Sequence, residues 1–361
     1  MNEKKYTFTG EEIFKYGEVL KRIIALKNFG NVKKGEKGGF IESERNLSHE
    51  GNCWVADEAI VKDQAQIYGD AQIKNESCVC ENARIGDKVY VVDEAYICGR
   101  SWILDNAHIG GRARIYGEVR IEDNVCIDGN AQIGGQARVL EHARISGLVE
   151  ISGMACISGK AKVSEEARIV GRTCIRGKAK VYNKQIIKYG ELTIDIFKTK
   201  NWEQAIYNLF GIKPVNNKIV LYKKVWKTKD KNVFVSCYDR NFKYVIGEIS
   251  EVKDFDKDIF QSCAEGLHFS DPEYWHKGDS LLACEIDIDD IITVLGGEVR
   301  CKKCLVLQSY DLKDTKGCYY QYGSRGKKFY YECGNKEARE RAKKKAEDDG
   351  RRIEYFKNKD N

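Results

Sequence analysis

The chain repeats an aliphatic residue at every sixth position through a long central stretch. Val or Ile occupies each sixth position from Val55 to Val181 without a slip. A small or β-branched residue stands two positions before nearly all of them, as Ala65 does before Ile67. A period of six is neither the 3.6-residue period of a helix nor the two-residue period of a strand. The pattern therefore indicates a repeat architecture.

Each hexapeptide predicts a short strand followed by a corner. Residues two apart on a strand share a face, so the aliphatic residue and its small partner both point inward. Gly, Asp or Asn often follows two positions later, as at Gly69 and Asp105, and these residues tolerate tight turns with positive φ. Three strands and three corners close a triangular coil, and stacked coils pair as parallel strands about 4.8 Å apart. We predict a mainly β fold, a parallel β-helix of about seven coils.

Two segments resemble a known family. Residues 53–187 resemble the left-handed β-helix of hexapeptide-repeat proteins, and this resemblance implies the handedness. Residues 20–55, LKRIIALKNFGNVKKGEKGGFIESERNLSHEGNCWV, resemble the N-terminal cap of YdcK-type hexapeptide proteins of bacteria and phages. We expect a cap over residues 1–52, with Gly38 and Gly39 as the turn into the first coil. Such a cap covers the apolar surface and strand edges of the end coil.

The repeat ends near residue 187, and a different organisation follows. Residues 188–215 predict a linker with a short helix that stops at Gly211. Residues 216–312 predict a small α+β domain, and residues 313–361 predict a tail with a charged helix. Within this region, CAEGLHFSDPEYWHKGDSLLACEIDIDDIITVLGGEVRCKKCLVL resembles the C-terminal domain of phage rIIB-type proteins. That resemblance implies a phage or prophage origin and brings no known reaction.

Composition restricts the compartment and the partners. No apolar run approaches the roughly 18 residues that a membrane span requires, and the first residues lack the apolar core of a secretory signal. We expect a cytoplasmic protein, in the host cytoplasm if it is phage-encoded, whose 14 cysteines are thiols. The net charge of +6 is a mild bias toward anionic partners and is too small to indicate DNA or RNA.

The residue before each core aliphatic points outward, so residues three hexapeptides apart form three columns. The arginine wall comprises Gln66, Arg84, Trp102, Arg120, Arg138, Cys156 and Cys174. The histidine wall comprises Trp54, Gln72, Tyr90, His108, Cys126, Arg144 and Lys162. The third wall comprises Ile60, Cys78, Tyr96, Arg114, Gln132, Glu150 and Arg168.

The arginine wall is the candidate ligand site. Arg84, Arg120 and Arg138 stack around Trp102 with no acid in their own column. An indole face accepts a guanidinium, and arginines bind phosphate or carboxylate in bidentate fashion. Two other interpretations stay open: a solvated wall with Glu122 as countercharge, and a trimer interface.

Catalytic candidates are weak. The resemblance to hexapeptide proteins includes acyltransferases, which use a histidine at a subunit junction. In this chain His108 lies on a wall and His142 lies at a corner, and neither has an obvious partner acid. Cys263 and His268 have the residue types of a nucleophile and its base. The remaining cysteine features are better explained by packing: the stacked pairs Cys80–Cys98 and Cys156–Cys174, and a zinc-like set of Cys301, Cys304, Cys318 and Cys333, whose second pair has unusual spacing.

Three functions follow. The first is a non-catalytic, phage-type oligomeric protein that holds an anionic nucleotide-type ligand or a host factor, for example in counter-defence. The second is an acyltransferase that uses coenzyme A, and the third is a trimeric scaffold that presents the C-terminal domain. The uninterrupted repeat favours the first over the second, so we expect no cofactor and no metal. We also expect a homotrimer, because aromatic side chains lie on all three walls and related hexapeptide proteins trimerise.

Overall fold

A computed structural model describes residues 3–312 and the backbone of two further strands, Tyr319–Gln321 and Lys328–Tyr330. The described chain divides into two compact units. The first contains the segment up to residue 219 together with residues 252–268 and 287–302. The second contains residues 220–251, 269–286 and the segment from residue 303 onward. The charged helix predicted within residues 313–361 lies outside the described residues.

The hexapeptides form a parallel β-solenoid of eight stacked strands on each of three walls, an architecture that fits the predicted left-handed β-helix. The arginine wall consists of Gln66–Ile67, Arg84–Ile85, Trp102–Ile103, Arg120–Ile121, Arg138–Val139, Cys156–Ile157, Cys174–Ile175 and Glu191–Leu192. The histidine wall consists of Trp54–Val55, Gln72–Ile73, Tyr90–Val91, His108–Ile109, Cys126–Ile127, Arg144–Ile145, Lys162–Val163 and Lys180–Val181. The third wall consists of Ile60–Val61, Cys78–Val79, Tyr96–Ile97, Arg114–Ile115, Gln132–Ile133, Glu150–Ile151, Arg168–Ile169 and Ile186–Ile187.

The solenoid has about eight turns, where the sequence predicted about seven. The difference lies at its C-terminal end, where the six-residue spacing fails. Leu192 follows Ile187 after five residues, yet Leu192 pairs in parallel with Ile175 and is buried. A shortened corner therefore adds a strand that strict periodicity did not include.

The interior of the solenoid is filled by the periodic residues. The aliphatic positions from Val55 to Val181 and the small residues two positions before them are buried. Burying a Val or Ile side chain stabilises a fold by about 1.5–3 kcal/mol, so the repeated core supplies much of the stability of the first unit. Two polar members of the small set are satisfied locally: the Ser77 and Ser101 hydroxyls donate to carbonyls three residues back, both at 2.7 Å.

The cap is a β-hairpin followed by a strand that starts the third wall. Tyr6–Lys15 and Glu18–Ala25 pair antiparallel, and Lys37–Ile41 then pairs in parallel with Ile60–Val61. The expectation that Gly38 and Gly39 form a turn is wrong, because both lie inside the strand Lys37–Ile41. An added Cβ at either glycine would approach a backbone oxygen of the first coil to 2.5 Å, so close packing is the reason for glycine there.

A buried lysine caps the open end of the first coil. The Lys5 ammonium donates to the Cys53 carbonyl at 2.9 Å and to the Gly51 carbonyl at 3.3 Å. It also lies 5.0 Å from the centre of the Phe29 ring. Burial lowers the pKa of Lys5. The ammonium thus satisfies carbonyls that have no preceding coil to pair with.

Short helices and small sheets complete the two units. Ile196–Thr199 and Trp202–Phe210 are helices, and the second ends at Gly211 in the left-handed conformation, where the sequence predicted its end. Glu44–Asn46 and Ile288–Asp290 are 3₁₀ turns. A six-stranded sheet has the order Lys243–Val245, Val233–Ser236, Lys218–Lys227, Ser280–Asp287, Lys303–Asp311, Ile249–Glu251. A three-stranded sheet has the order Leu267–Phe269, Glu298–Cys301, Ile291–Leu295.

The corner that follows the arginine wall carries a ladder of acids. Asp87, Asp105, Asp123 and Glu141 all adopt positive φ. The backbone N–H of each of the last three donates to the carboxylate one coil below, at 2.9 to 3.1 Å. Acidic residues at these corners therefore have a structural role, because each carboxylate binds the turn of the next coil.

We expect Asp105→Ala to lower the free energy of unfolding by about 1–2 kcal/mol, because alanine is strained at positive φ and the Asp123 N–H loses its acceptor. Asp105→Asn keeps an amide oxygen and tolerates this conformation, so its stability should stay within about 0.5 kcal/mol of the parent. Urea denaturation of the three proteins at equal concentration measures both effects. Equal losses of unfolding free energy in Asp105→Ala and Asp105→Asn would contradict the structural role of the corner carboxylates.

Candidate functional site

The register of the solenoid brings the predicted ligand residues together on one exposed wall. Gln66 pairs with Arg84, Arg84 with Trp102, Trp102 with Arg120, and Arg120 with Arg138. All five side chains are exposed. Parallel in-register pairing fixes their spacing at about 4.8 Å per step.

Arg84 and Trp102 form a cation–π pair. The Arg84 guanidinium lies 5.2 Å from the centre of the Trp102 ring, and Trp102 remains 42% exposed. At an exposed site this contact contributes about 0.5–1 kcal/mol. It places one positive charge over the indole and leaves much of the ring accessible to a ligand.

Arg120 is paired with Glu122, which lies two residues further along the chain. Its guanidinium lies 2.5 Å from the Glu122 carboxylate, as the solvated-wall interpretation expected. An exposed pair of this kind adds little stability, but it orients Arg120. Among the described residues, Arg138 makes no ion pair or side-chain hydrogen bond, so its guanidinium is available to an anion.

A pocket of about 330 Å³ lies at the N-terminal end of the arginine wall. It is lined by Glu44, Arg45, Leu47, Ser48, His49, Gln66, Ile67 and Tyr68. Since Gln66 is also the first member of the arginine wall, the pocket continues into that wall. Sequence reasoning missed it, because it assigned the cap a purely structural role and treated Gln66 only as the end of a column.

His49 is the histidine of this pocket. Its ring stacks on Tyr6 with centres 4.3 Å apart, and its Nδ1 accepts from the Lys5 backbone N–H at 3.2 Å. Nε2 is buried without a hydrogen-bond partner among the described residues and lies 3.9 Å from a Glu44 oxygen. Burial lowers the pKa of His49, so the ring is neutral at neutral pH and carries its proton on Nε2.

The two histidines proposed from the hexapeptide pattern stand apart from this pocket. His108 is exposed on the histidine wall between Tyr90 and Cys126. His142 is exposed at a corner. Within residues 3–312, neither makes a hydrogen bond or ion pair through its side chain, so the structure gives neither a base-orienting acid.

His268 joins a turn to a buried carboxylate. Nδ1 lies 2.9 Å from Glu298, and Nε2 lies 2.8 Å from the Ala264 carbonyl. The Glu298 side chain is 6% exposed. Cys263 is exposed, with its thiol 4.0 Å from the Ser262 hydroxyl. Both ring nitrogens of His268 thus contact groups other than a nucleophile.

The other cysteines proposed as metal ligands are only partly described. Cys301 and Cys304 are buried, and Cys318 and Cys333 lie outside the described residues. In the part of the chain that the structure covers, no group of three or more His, Cys, Asp and Glu is placed to hold a metal ion. Likewise, no helix in that part is long and apolar enough to cross a membrane.

Comparison with known proteins gives two matches. Residues 215–272 match a family of unknown function, DUF5758. The chain is also similar to a protein of Escherichia coli (strain K12) named uncharacterized acetyltransferase YdcK, at 37% identity over 83 residues. That similarity covers 20% of this chain and 26% of YdcK, so the chain spans about a quarter of that relative.

We expect His49 to make the stability of the protein sensitive to pH. The pKa of His49 is lower in the folded than in the unfolded protein, so the unfolded state binds more protons as the pH falls below about 6.5. The contribution of neutral His49 is complete above that pH and is lost as the pH falls toward the folded pKa. Urea midpoints at pH 7.5 and 5.5 should therefore differ less for His49→Gln than for the parent. His142→Gln removes an exposed histidine and should retain the difference between the two urea midpoints that the parent shows. If this control narrowed the difference as much as His49→Gln does, the assignment of the pH sensitivity to His49 would be wrong.

Proposed function

We propose that this chain is a non-catalytic binding protein that holds a phosphorylated, nucleotide-type ligand on the arginine wall. The observation that carries the proposal is the exposed, in-register column of Arg84, Trp102, Arg120 and Arg138. Along the strands of this wall from Gln66 to Ile175, Glu122 is the one acid at the outward positions beside the core aliphatics.

The column has the chemistry that such a ligand requires. Arginines bind phosphate oxygens through two parallel N–H donors, and steps of about 4.8 Å suit successive phosphates. The exposed part of the Trp102 ring offers a stacking surface for a base. Arg138 brings a guanidinium that has no partner within residues 3–312, and the pocket beside Gln66 provides a concave seat at one end. The neighbouring acids Asp105 and Asp123 bind backbone N–H groups of the next coil.

The proposal includes a homotrimeric state and a phage-type role against the host. A homotrimer would bring two walls together in a cleft, where lower water content strengthens charged contacts. The exposed aromatic residues Tyr90, Tyr96 and Trp102 support such an interface. The rIIB-type resemblance of residues 263–307 supports a phage-type role against the host, in which the ligand or a host factor is sequestered.

Acyl transfer from coenzyme A is the second candidate. Two observations favour it: the acetyltransferase name of the E. coli relative, and a neutral His49 near Glu44 in a pocket. A trimeric scaffold is the third. Release of free coenzyme A from acetyl-coenzyme A, lost in His49→Gln, would establish the second candidate and displace the first.

The test is a fluorescence titration of the full chain with ATP, with coenzyme A and with tripolyphosphate. We expect ATP to quench Trp102 and Arg138→Ala to weaken binding about 10- to 150-fold, the loss for one hydrogen-bonded contact to a charged group. Arg114→Ala is the matched control, because it removes an exposed arginine from the third wall. Trp102→Phe should abolish the quench, which separates it from a signal of the exposed Trp226.

Two results would overturn this proposal. One is an unchanged signal and melting temperature with all three ligands, which leaves the scaffold as the best explanation. The other is equal weakening by Arg138→Ala and Arg114→Ala, which would show that only net charge matters.

A further inference from the structure

The third wall carries a cluster of thiols near the cap, separate from the arginine wall. Cys78 stacks between Ile60 and Tyr96 in the column of outward residues. Cys80 and Cys98 each lie one residue beyond a buried aliphatic and occupy the same place in successive coils, where the Cys80 N–H donates to the Ile97 carbonyl. The repeat therefore places two thiols side by side across a coil boundary.

The thiols of this cluster differ in their exposure. Leu20, Phe40 and Ile60 form a buried cluster with Cys78, and Ile13 packs against it. Cys80 is 2% exposed, whereas Cys98, one coil further from the cap, is half-buried. Cys98 is thus the more accessible of the two thiols, and Cys80 lies beside it.

The surroundings of Cys80 stabilise a thiolate. Its Sγ lies 3.2 Å from the Tyr96 hydroxyl, and Lys62, itself 3.0 Å from Asp63, brings a positive charge. Hydrogen bonds from Cys78, Cys98 and Tyr96, aided by Lys62, lower the pKa of Cys80. The same hydrogen bond with Cys80 raises the pKa of Cys98. Of these thiols, Cys80 is therefore the one whose surroundings favour the thiolate.

We propose that Cys80 and Cys98 form a reversible thiol–disulfide site that is oxidised by hydrogen peroxide. Adjacent in-register strands lie about 4.8 Å apart, within the 4.4–6.8 Å separation of Cα atoms that a disulfide spans. The proposal is independent of ligand binding on the arginine wall.

The reaction balances with two thiols and one peroxide. The Cys80 thiolate attacks a peroxide oxygen; an S–O bond forms, the O–O bond breaks, and the departing hydroxide takes the proton of the Cys98 thiol to become water. The Cys98 thiolate then attacks the sulfur of the Cys80 sulfenic acid; the S–S bond forms, the S–O bond breaks, and the departing hydroxide takes from solvent the proton that Cys80 had lost, so that a second water leaves. Two thiols are oxidised and the peroxide is reduced to two waters. A dithiol reverses the reaction by exchange.

The same chain contains a matched control pair. Cys156 and Cys174 pair in register on the arginine wall, and both are half-buried. Among the described residues no tyrosine or lysine side chain forms a hydrogen bond with these thiols, and burial raises the pKa of Cys156. The Arg176 guanidinium lies 3.7 Å from the Cys174 sulfur. Coil spacing alone predicts equal oxidation of the two pairs, whereas thiolate stabilisation predicts preference for Cys80–Cys98.

The experiment treats the reduced full chain with limiting hydrogen peroxide, blocks the remaining thiols and maps the disulfides by mass spectrometry. Trypsin places Cys80 and Cys98 in separate peptides, residues 75–84 and 89–100, and likewise separates Cys156 and Cys174 into residues 145–160 and 173–176. We expect the first cross-link to form about tenfold faster or more, since an ordinary thiol is only a few per cent thiolate at neutral pH.

Variants test the role of each group. Tyr96→Phe removes only the hydroxyl beside Cys80 and should slow cross-linking roughly threefold or more, whereas Tyr116→Phe, the next phenol in the Cys80–Cys98 column, should leave the rate unchanged. Cys78→Ala should retain the cross-link. Equal rates for the two cysteine pairs, or a cross-link between Cys78 and Cys80 instead, would overturn the proposal, and both results are read on the parent chain without relying on any variant to fold.

Discussion

The first unit depends on the parallel backbone pairing between successive coils. Each short strand contributes only two residues to a wall, and these pair with the coils above and below. No coil is stable alone, because its strand edges and apolar interior need a neighbour. Over the periodic coils, pairing remains in register because every coil has the same length, which the strict spacing of Val and Ile sets; the last coil accommodates one shortened corner before Leu192.

The corners are where this constraint is most demanding. A corner residue adopts positive φ and lies against the backbone of the next coil. Gly159 meets the requirement by having no Cβ, which would otherwise approach the Gly177 nitrogen to 2.7 Å. Asp105 meets it with a carboxylate that accepts the N–H of Asp123. The chain thus uses close approach at some corners and side-chain acceptors at others.

Register also controls the chemistry of the surface. Outward residues repeat at the coil spacing, so a side chain chosen in one coil has fixed neighbours in the next. On the arginine wall this would place like charges together, and the structure offsets them with the Trp102 ring and with Glu122. On the third wall the same spacing places Cys80 beside Cys98 and below the Tyr96 hydroxyl. The coil spacing of the solenoid therefore sets which side chains are neighbours, and side chains of complementary chemistry act as pairs along a wall.

Sequence by itself determined the solenoid, its three walls and the membership of the arginine column, because a period of six fixes both the inward face and the neighbours at the coil spacing. It also located the helix end at Gly211. Periodicity says nothing where the spacing changes, so only the tertiary structure placed Leu192 in an extra strand and Gly38 inside a strand rather than a turn. The His49 pocket likewise required the fold, since Glu44, His49 and Gln66 meet through packing of a non-repeating cap on the first coil. Side-chain orientation decided the rest: which arginine is paired, which thiol is covered and which histidine is neutral depend on contacts that no repeat pattern encodes.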